Sequence, residues 1–113
     1  MDDDLLTIDD VIMVCSCAKL EDETLSFDSY GSDQPRYSTS MFLEKHGLLW
    51  KDAEEIINNL KKEELVSGPI DNYIKDRNRK LWIFIKSYKE LKLYIKLLIY
   101  NKRRCVAVVS LHD

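Results

Sequence analysis

Residues Lys80–His112 read KLWIFIKSYKELKLYIKLLIYNKRRCVAVVSLH, and the fold turns on how this stretch divides. Three apolar runs, Lys80–Ser87, Lys92–Tyr100 and Arg104–His112, are separated by short polar breaks. Each run is rich in β-branched or aromatic residues, which suit a pleated, half-buried surface. The breaks are too short for crossovers, so neighbouring runs are expected to pair antiparallel as a three-stranded meander.

Side chains alternate across a strand, so each run offers two faces. In the middle run Leu93, Ile95, Leu97 and Ile99 share one face, and Lys92, Tyr94, Lys96, Leu98 and Tyr100 share the other. In the last run Cys105, Ala107, Val109 and Leu111 form an apolar face opposite Val106, Val108, Ser110 and His112. A loop of Asn101–Arg103, with Tyr100 opposite Arg104, brings the two apolar faces together. That register places Tyr94 near Ser110, Lys96 opposite Val108 and His112 opposite Lys92. In the first run Leu81, Ile83 and Ile85 are assigned to the core, which sends Lys80, Trp82, Phe84 and Lys86 to the basic face.

Outward from this stretch, 113 residues with 45% hydrophobic and 33% charged content form one domain of ordinary globular composition. Its helical part is expected over about 1–66 and its sheet part over about 80–112. Lys96 interrupts the longest apolar run, and the acidic MDDD start is unlike the basic opening of a signal peptide. Cys15, Cys17 and Cys105 are odd in number and lack CxxC spacing, so a reduced, cytoplasmic setting is expected without a cysteine zinc site. The net charge of −3 conceals an asymmetry: residues 1–33 hold ten acids against Lys19, whereas residues 75–104 hold eleven bases against Asp76 and Glu90. The sheet region is therefore the part suited to a polyanion, although the same bases could simply solvate a sheet edge.

Thr7 and Asp10 resemble a capping box, and Ile8, Val11, Ile12 and Cys15 recur at helical spacing, predicting a helix over about 8–19. Cys15 and Cys17 are read as core and near-surface thiols. Leu20–Arg36 is polar and acidic, with SFDSY as a short strand or ordered turn within it. A second helix starts at Ser38–Ser40 and runs through His46, stopped by Gly47, with His46 structural at its end. A third spans about 51–65 on an Ala53, Ile56, Ile57 and Leu60 stripe. Ser67-Gly68-Pro69 breaks it, and Asp71–Arg79 leads into the sheet. The fold class is thus α+β, with N-terminal helices on one face of a C-terminal antiparallel meander.

No Gly-rich phosphate loop, HExxH, GxSxG or paired Cys/His ligand set is present. A face of phenol, imidazole and ammonium groups suits RNA cleavage without a cofactor or metal, because the substrate's 2′-OH is the nucleophile. The candidate catalytic residues are Tyr94, Lys96 and His112, with Lys86 in support. Arg79, Lys80, Lys92 and Arg104 would hold the RNA backbone, while Trp82, Phe84 or Tyr100 would stack unpaired bases. The same face could instead bind RNA or an acidic protein without cutting. His112, next to the last residue, would in the bland reading be frayed and inert.

At these residues the chain resembles the motility quorum-sensing regulator (MqsR) toxins. The parts are HGLLWKDAEEIINNL, EELVSGP, LWIFIK, LYIKL and VAVVSLH, in that order between about Phe42 and His112. The resemblance implies a RelE-like fold, metal-independent mRNA cleavage, and an antitoxin partner with a helix-turn-helix DNA-binding part. It matches Tyr94 and Lys96 to the family's active-site Tyr-x-Lys, and His112 to a position that is Lys or His among members. Ser67 stands where some members carry Lys, Ile83 where some carry Gln, and Leu111 where Phe is usual.

Overall fold

A computed structural model describes residues 6–27, 39–71, 80–100 and 104–113. The elements in order are α1 (Ile8–Cys17), β1 (Leu25–Phe27), α2 (Thr39–His46), α3 (Trp50–Asn58), a 3₁₀ turn at Lys62–Glu64, β2 (Leu65–Asp71), β3 (Lys80–Tyr88), β4 (Leu91–Tyr100) and β5 (Cys105–His112). The protein is α+β, with three helices and a five-stranded mixed sheet in the order β1-β5-β4-β3-β2. The three apolar runs do pair antiparallel as β3, β4 and β5. Two further strands flank them. β1 adds parallel to β5, and β2 adds antiparallel to β3 through a register shift on each side of Ser67.

Local chemistry accounts for most element boundaries. Thr7 Oγ1 accepts from the Asp10 N–H while the Thr7 N–H donates to Asp10 Oδ2, so the expected capping box opens α1. The helix ends at Cys17, two residues before the expected limit, where Asn58 donates to the Cys15 and Ala18 carbonyls at 2.8 and 2.9 Å. This bond also ties α1 to α3. α2 ends at His46 ahead of Gly47, which takes φ +66°, a conformation glycine adopts without steric cost. α3 begins where Asp52 Oδ2 accepts from the Leu49 N–H at 2.8 Å.

The sequence reading carried α3 to about 65, but the helix stops at Asn58 and Leu65 already belongs to β2. Ser67-Gly68-Pro69, read as a break, lies inside that strand. Pro69 is tolerated because β2 is an edge strand, where a missing N–H need not leave a partner unpaired. Of SFDSY, Ser26 and Phe27 fall in β1; its remaining residues, like Ser38, Arg79 and the Asn101–Arg103 loop, lie outside the described residues.

One sheet face is covered. Val11, Val14 and Cys15 of α1, Phe42 and Leu43 of α2, and Ala53, Ile56 and Ile57 of α3 pack on Trp82, Phe84, Leu93, Ile95, Leu97, Ile99, Val106, Val108 and Leu111. This corrects the assigned parity of β3. Trp82 and Phe84 lie in the core at 2% and 0% exposure, while Leu81, Ile83 and Ile85 face outward and are half-buried. Burying an indole removes about 150–250 Å² from water, worth roughly 4–6 kcal/mol. Trp82 Nε1 is left without a hydrogen-bond partner, at a cost of about 1–3 kcal/mol. The ring's burial outweighs it.

Two places in the sheet carry opposite kinds of backbone demand. Lys89 and Glu90 close the β3–β4 hairpin with φ of 47° and 68°, the geometry that favours Asn-Gly. Gly68 sits at φ +132°, and a Cβ there would come within 2.8 Å of the Leu81 carbonyl oxygen. Urea unfolding should therefore show Glu90→Gly stabilising by about 1 kcal/mol, and Gly68→Ala destabilising by about 2–3 kcal/mol. Equal midpoints for both variants and the wild type would contradict these backbone assignments.

Candidate functional site

The open face is organised as rows running across the strands. Ile70, Leu81, Leu98 and Ala107 make one row, Ser67, Ile83, Lys96 and Ser110 the next, then Ile85, Tyr94 and His112, and finally Ser87 and Lys92. The face thus passes from aliphatic at one end to aromatic and cationic at the other. Tyr94 lies directly opposite His112, and their rings stack at 5.7 Å between centroids with 22° between planes. Lys92 Nζ lies 5.9 Å from the Tyr94 ring centroid, within cation–π reach. Lys96 is half-buried one row away, opposite Ser110.

A β-bulge produces this pairing. Near the β4–β5 turn Tyr100 opposes Cys105 and Leu97 opposes Val108; beyond it Lys96 opposes Ser110 and Tyr94 opposes His112. Val109 is the extra residue on β5, and inserting it switches which side chains face the core. Val106 and Val108 are therefore buried before the bulge and Leu111 after it. The regular register expected from the sequence, with His112 opposite Lys92 and Arg104 opposite Tyr100, is replaced by one that brings His112 to Tyr94.

His112 Nδ1 donates to the main-chain oxygen of Asp113 at 3.3 Å, which makes Nε2 the basic ring atom. Asp113 is itself held from the covered side of the sheet. Its Oδ2 accepts from His46 Nε2 at 2.8 Å and from Lys45 Nζ at 3.2 Å. The frayed His112 of the bland reading is thus not what is observed. The His46 hydrogen bond holds the Asp113 carboxyl below its ordinary range, and Lys45 adds to the effect. His46 also lies 5.1 Å from the Phe42 ring, in keeping with the structural role assigned to it.

Several expected site residues are elsewhere. Lys86 points into the covered face, 9% exposed, where its ammonium donates to the Asn59 carbonyl at 3.0 Å and to Glu64 at 3.2 Å. It closes the end of α3 and takes no part in the open face. Trp82 and Phe84 are core residues and cannot stack bases. Lys80 shares their parity, and lies five residues along β3 from Ile85, the register partner of Tyr94. Arg104 precedes β5 at the end opposite His112, about 25 Å of strand away, and its charge acts on Asp10 of α1. Arg79 and the Tyr100 side chain lie outside the described residues. Cys15 is buried and its thiol is pushed up to about 12, so it is inert as a nucleophile. Among the described residues no three His, Cys, Asp or Glu side chains gather as a metal-ligand set, and no helix is long and apolar enough to cross a membrane.

These features define a small α+β protein whose sheet is covered by helices on one face and carries a Tyr–His pair flanked by lysines on the other. No protein-family model, curated protein or solved structure matches the chain.

Two outcomes check the geometry. Lys86→Ala strips a partner from Glu64 and from the Asn59 carbonyl, so it should lower stability by about 2–4 kcal/mol. Lys92→Ala, at an exposed position, should stay within about 0.5 kcal/mol of wild type in the same denaturant titration. Because the Asp113 carboxyl is depressed in the folded state, its stabilisation is present above the ordinary carboxylate value and is lost as pH falls through the lowered one. Asp113→Asn should accordingly flatten the acid limb of the stability curve, read as unfolding midpoint against pH.

Proposed function

We propose that this protein is a metal-independent endoribonuclease of the toxin class that cleaves single-stranded mRNA. The reading rests on one observation: two residues singled out on separate runs, Tyr94 in LYIKL and His112 in VVSLH, meet as a stacked pair on the open face. Lys92 and Lys96 flank them. The reaction needs a group to take the 2′-OH proton, a group to protonate the departing 5′-oxygen, and cations for the charge on the phosphorane-like transition state. His112 takes the 2′-OH proton and passes it to the departing 5′-oxygen. The Tyr94 hydroxyl hydrogen-bonds the phosphate, and Lys96 and Lys92 supply positive charge. A bond forms from O2′ to phosphorus as the P–O5′ bond breaks, leaving a 2′,3′-cyclic phosphate and a 5′-hydroxyl. With Trp82 and Phe84 in the core, the bases rest on the aliphatic rows of Ile83, Ile85 and Leu98.

The resemblance to MqsR toxins supports the same reading and carries its finer expectations: a RelE-like arrangement, a cytoplasmic setting and a helix-turn-helix antitoxin. Two of its departures, Ser67 and Ile83, are register partners in the row of Lys96. The contacts that Lys and Gln provide in some members are therefore replaced here by a hydroxyl and an aliphatic side chain. The active set in this chain is Tyr94, Lys96 and His112 without Lys86.

A second reading, a non-catalytic binding module for RNA or an acidic protein, is favoured by the aliphatic share of the face. Leu81, Ile83, Ile85 and Leu98 are only half-buried, and such a patch suits a protein partner as well as a base.

Incubation with a defined RNA in the presence of a chelator separates the two. Wild type should leave 2′,3′-cyclic ends, while His112→Ala and Tyr94→Phe should each slow cleavage by about 10²-fold or more with unchanged unfolding midpoints. RNA that is bound and recovered intact would establish the binder instead, and wild-type cleavage by His112→Ala would remove the site assignment.

A further inference from the structure

Side chains alternate across the sheet at the end of β5 and in the residue that follows it. Leu111 points into the core, His112 lies on the open face beside Tyr94, and Asp113 turns back towards α2. α2 is anchored from below by Phe42 and Leu43, which are 2% and 4% exposed. Its final turn therefore presents His46 from a fixed platform. The His46 and Asp113 side chains are 23% and 24% exposed, and their 2.8 Å contact lies at the surface. Lys45 is 65% exposed and adds a weaker, screened contribution.

We propose that His46 is a positioning residue for His112, acting through the Asp113 carboxylate. The ends of strands fray unless something ties them down. The His112 ring is oriented by the stack on Tyr94 and by the 3.3 Å bond from Nδ1 to the Asp113 main-chain oxygen. The second exists only while residue 113 is held, and the bond that holds it comes from the opposite side of the sheet. α2 thereby helps to fix, through the residue after β5, an imidazole on the open face. The consequence for ring geometry is independent of the activity; the consequence for catalysis rests on the ribonuclease reading.

The full-length chain tests this by two measurements. One is the nuclear Overhauser contact between the Tyr94 and His112 rings; the other is kcat and KM for a short RNA. His46→Ala and Asp113→Ala should each abolish the ring contact and lower kcat by about tenfold, with KM within about twofold. The double variant should lose no more than either single one, because both break one linkage. His46→Gln, whose amide nitrogen still donates, and Asp113→Asn, whose amide oxygen still accepts, should restore the contact and kcat, which separates positioning from loss of fold. A ring contact that survives in both alanine variants overturns the proposal, as does failure of both conservative variants to restore it. Should the contact behave as expected while no variant and no wild type cuts RNA, the positioning role stands and the ribonuclease reading falls.

Discussion

Trp82 and Phe84 enter the layer between the sheet and its helices, and the face they take sets what every other residue of β3 can do. With the two rings inward, Leu81, Ile83 and Ile85 must line the open side, and Lys86 must join the inward row, which Tyr88 closes. The long side chain of Lys86 makes that tolerable: its methylenes lie along apolar surface while the ammonium reaches the Asn59 carbonyl and Glu64. The aromatic burial that organises the core therefore also withdraws four expected functional groups, Lys80, Trp82, Phe84 and Lys86, from the open face. Among the described residues, what remains there is narrower: an imidazole, a phenol, two ammonium groups, serine hydroxyls and an aliphatic floor.

The second determinant is Val109. Without an extra residue, a β5 paired to β4 as near the turn would put His112 out of phase with Tyr94 and send Leu111 out of the core. The bulge lets Val106 and Val108 pack on one side of it and Leu111 on the other, while Ser110 and His112 emerge together on the open face. Bulges re-aim side chains in this way beside functional sites. Here the re-aimed residue is His112, so core packing and site geometry are satisfied by the same local irregularity.

Much of this was legible in the residues, and the failures have identifiable causes. The face of β4 was readable because Lys92, Tyr94 and Lys96 alternate with Leu93, Ile95 and Leu97 without ambiguity. β5 was not, since VAVV is apolar on both sides and periodicity there cannot reveal a bulge. β3 is likewise apolar on both faces, and assigning Leu81, Ile83 and Ile85 to the core chose the wrong one; the larger rings were the better guide. β1 showed only as the short strand or turn read at SFDSY, which it meets at Ser26 and Phe27, and β2 was hidden by a Gly-Pro pair that reads as a helix stop. Tyr94 and His112 were identified on the correct face, whereas nothing in the spacing of His46 or Asp113 pointed to their contact, which joins residues far apart in sequence.

The parallel pairing of β1 with β5 joins Leu25 to Val106 and is reinforced by the Val106 N–H donating to the Thr24 carbonyl at 2.8 Å. The hairpin of β3 and β4 needs only a two-residue turn, so it is available early and at small entropic cost, whereas β1 must close a loop of most of the chain for a three-residue strand. Assembly on this plan proceeds from the middle of the sheet outward and clasps last at β1. Until that clasp shuts, the outer edge of β5 is a bare ribbon of backbone donors and acceptors, the moment at which a newly made copy is most exposed to pairing with its neighbours.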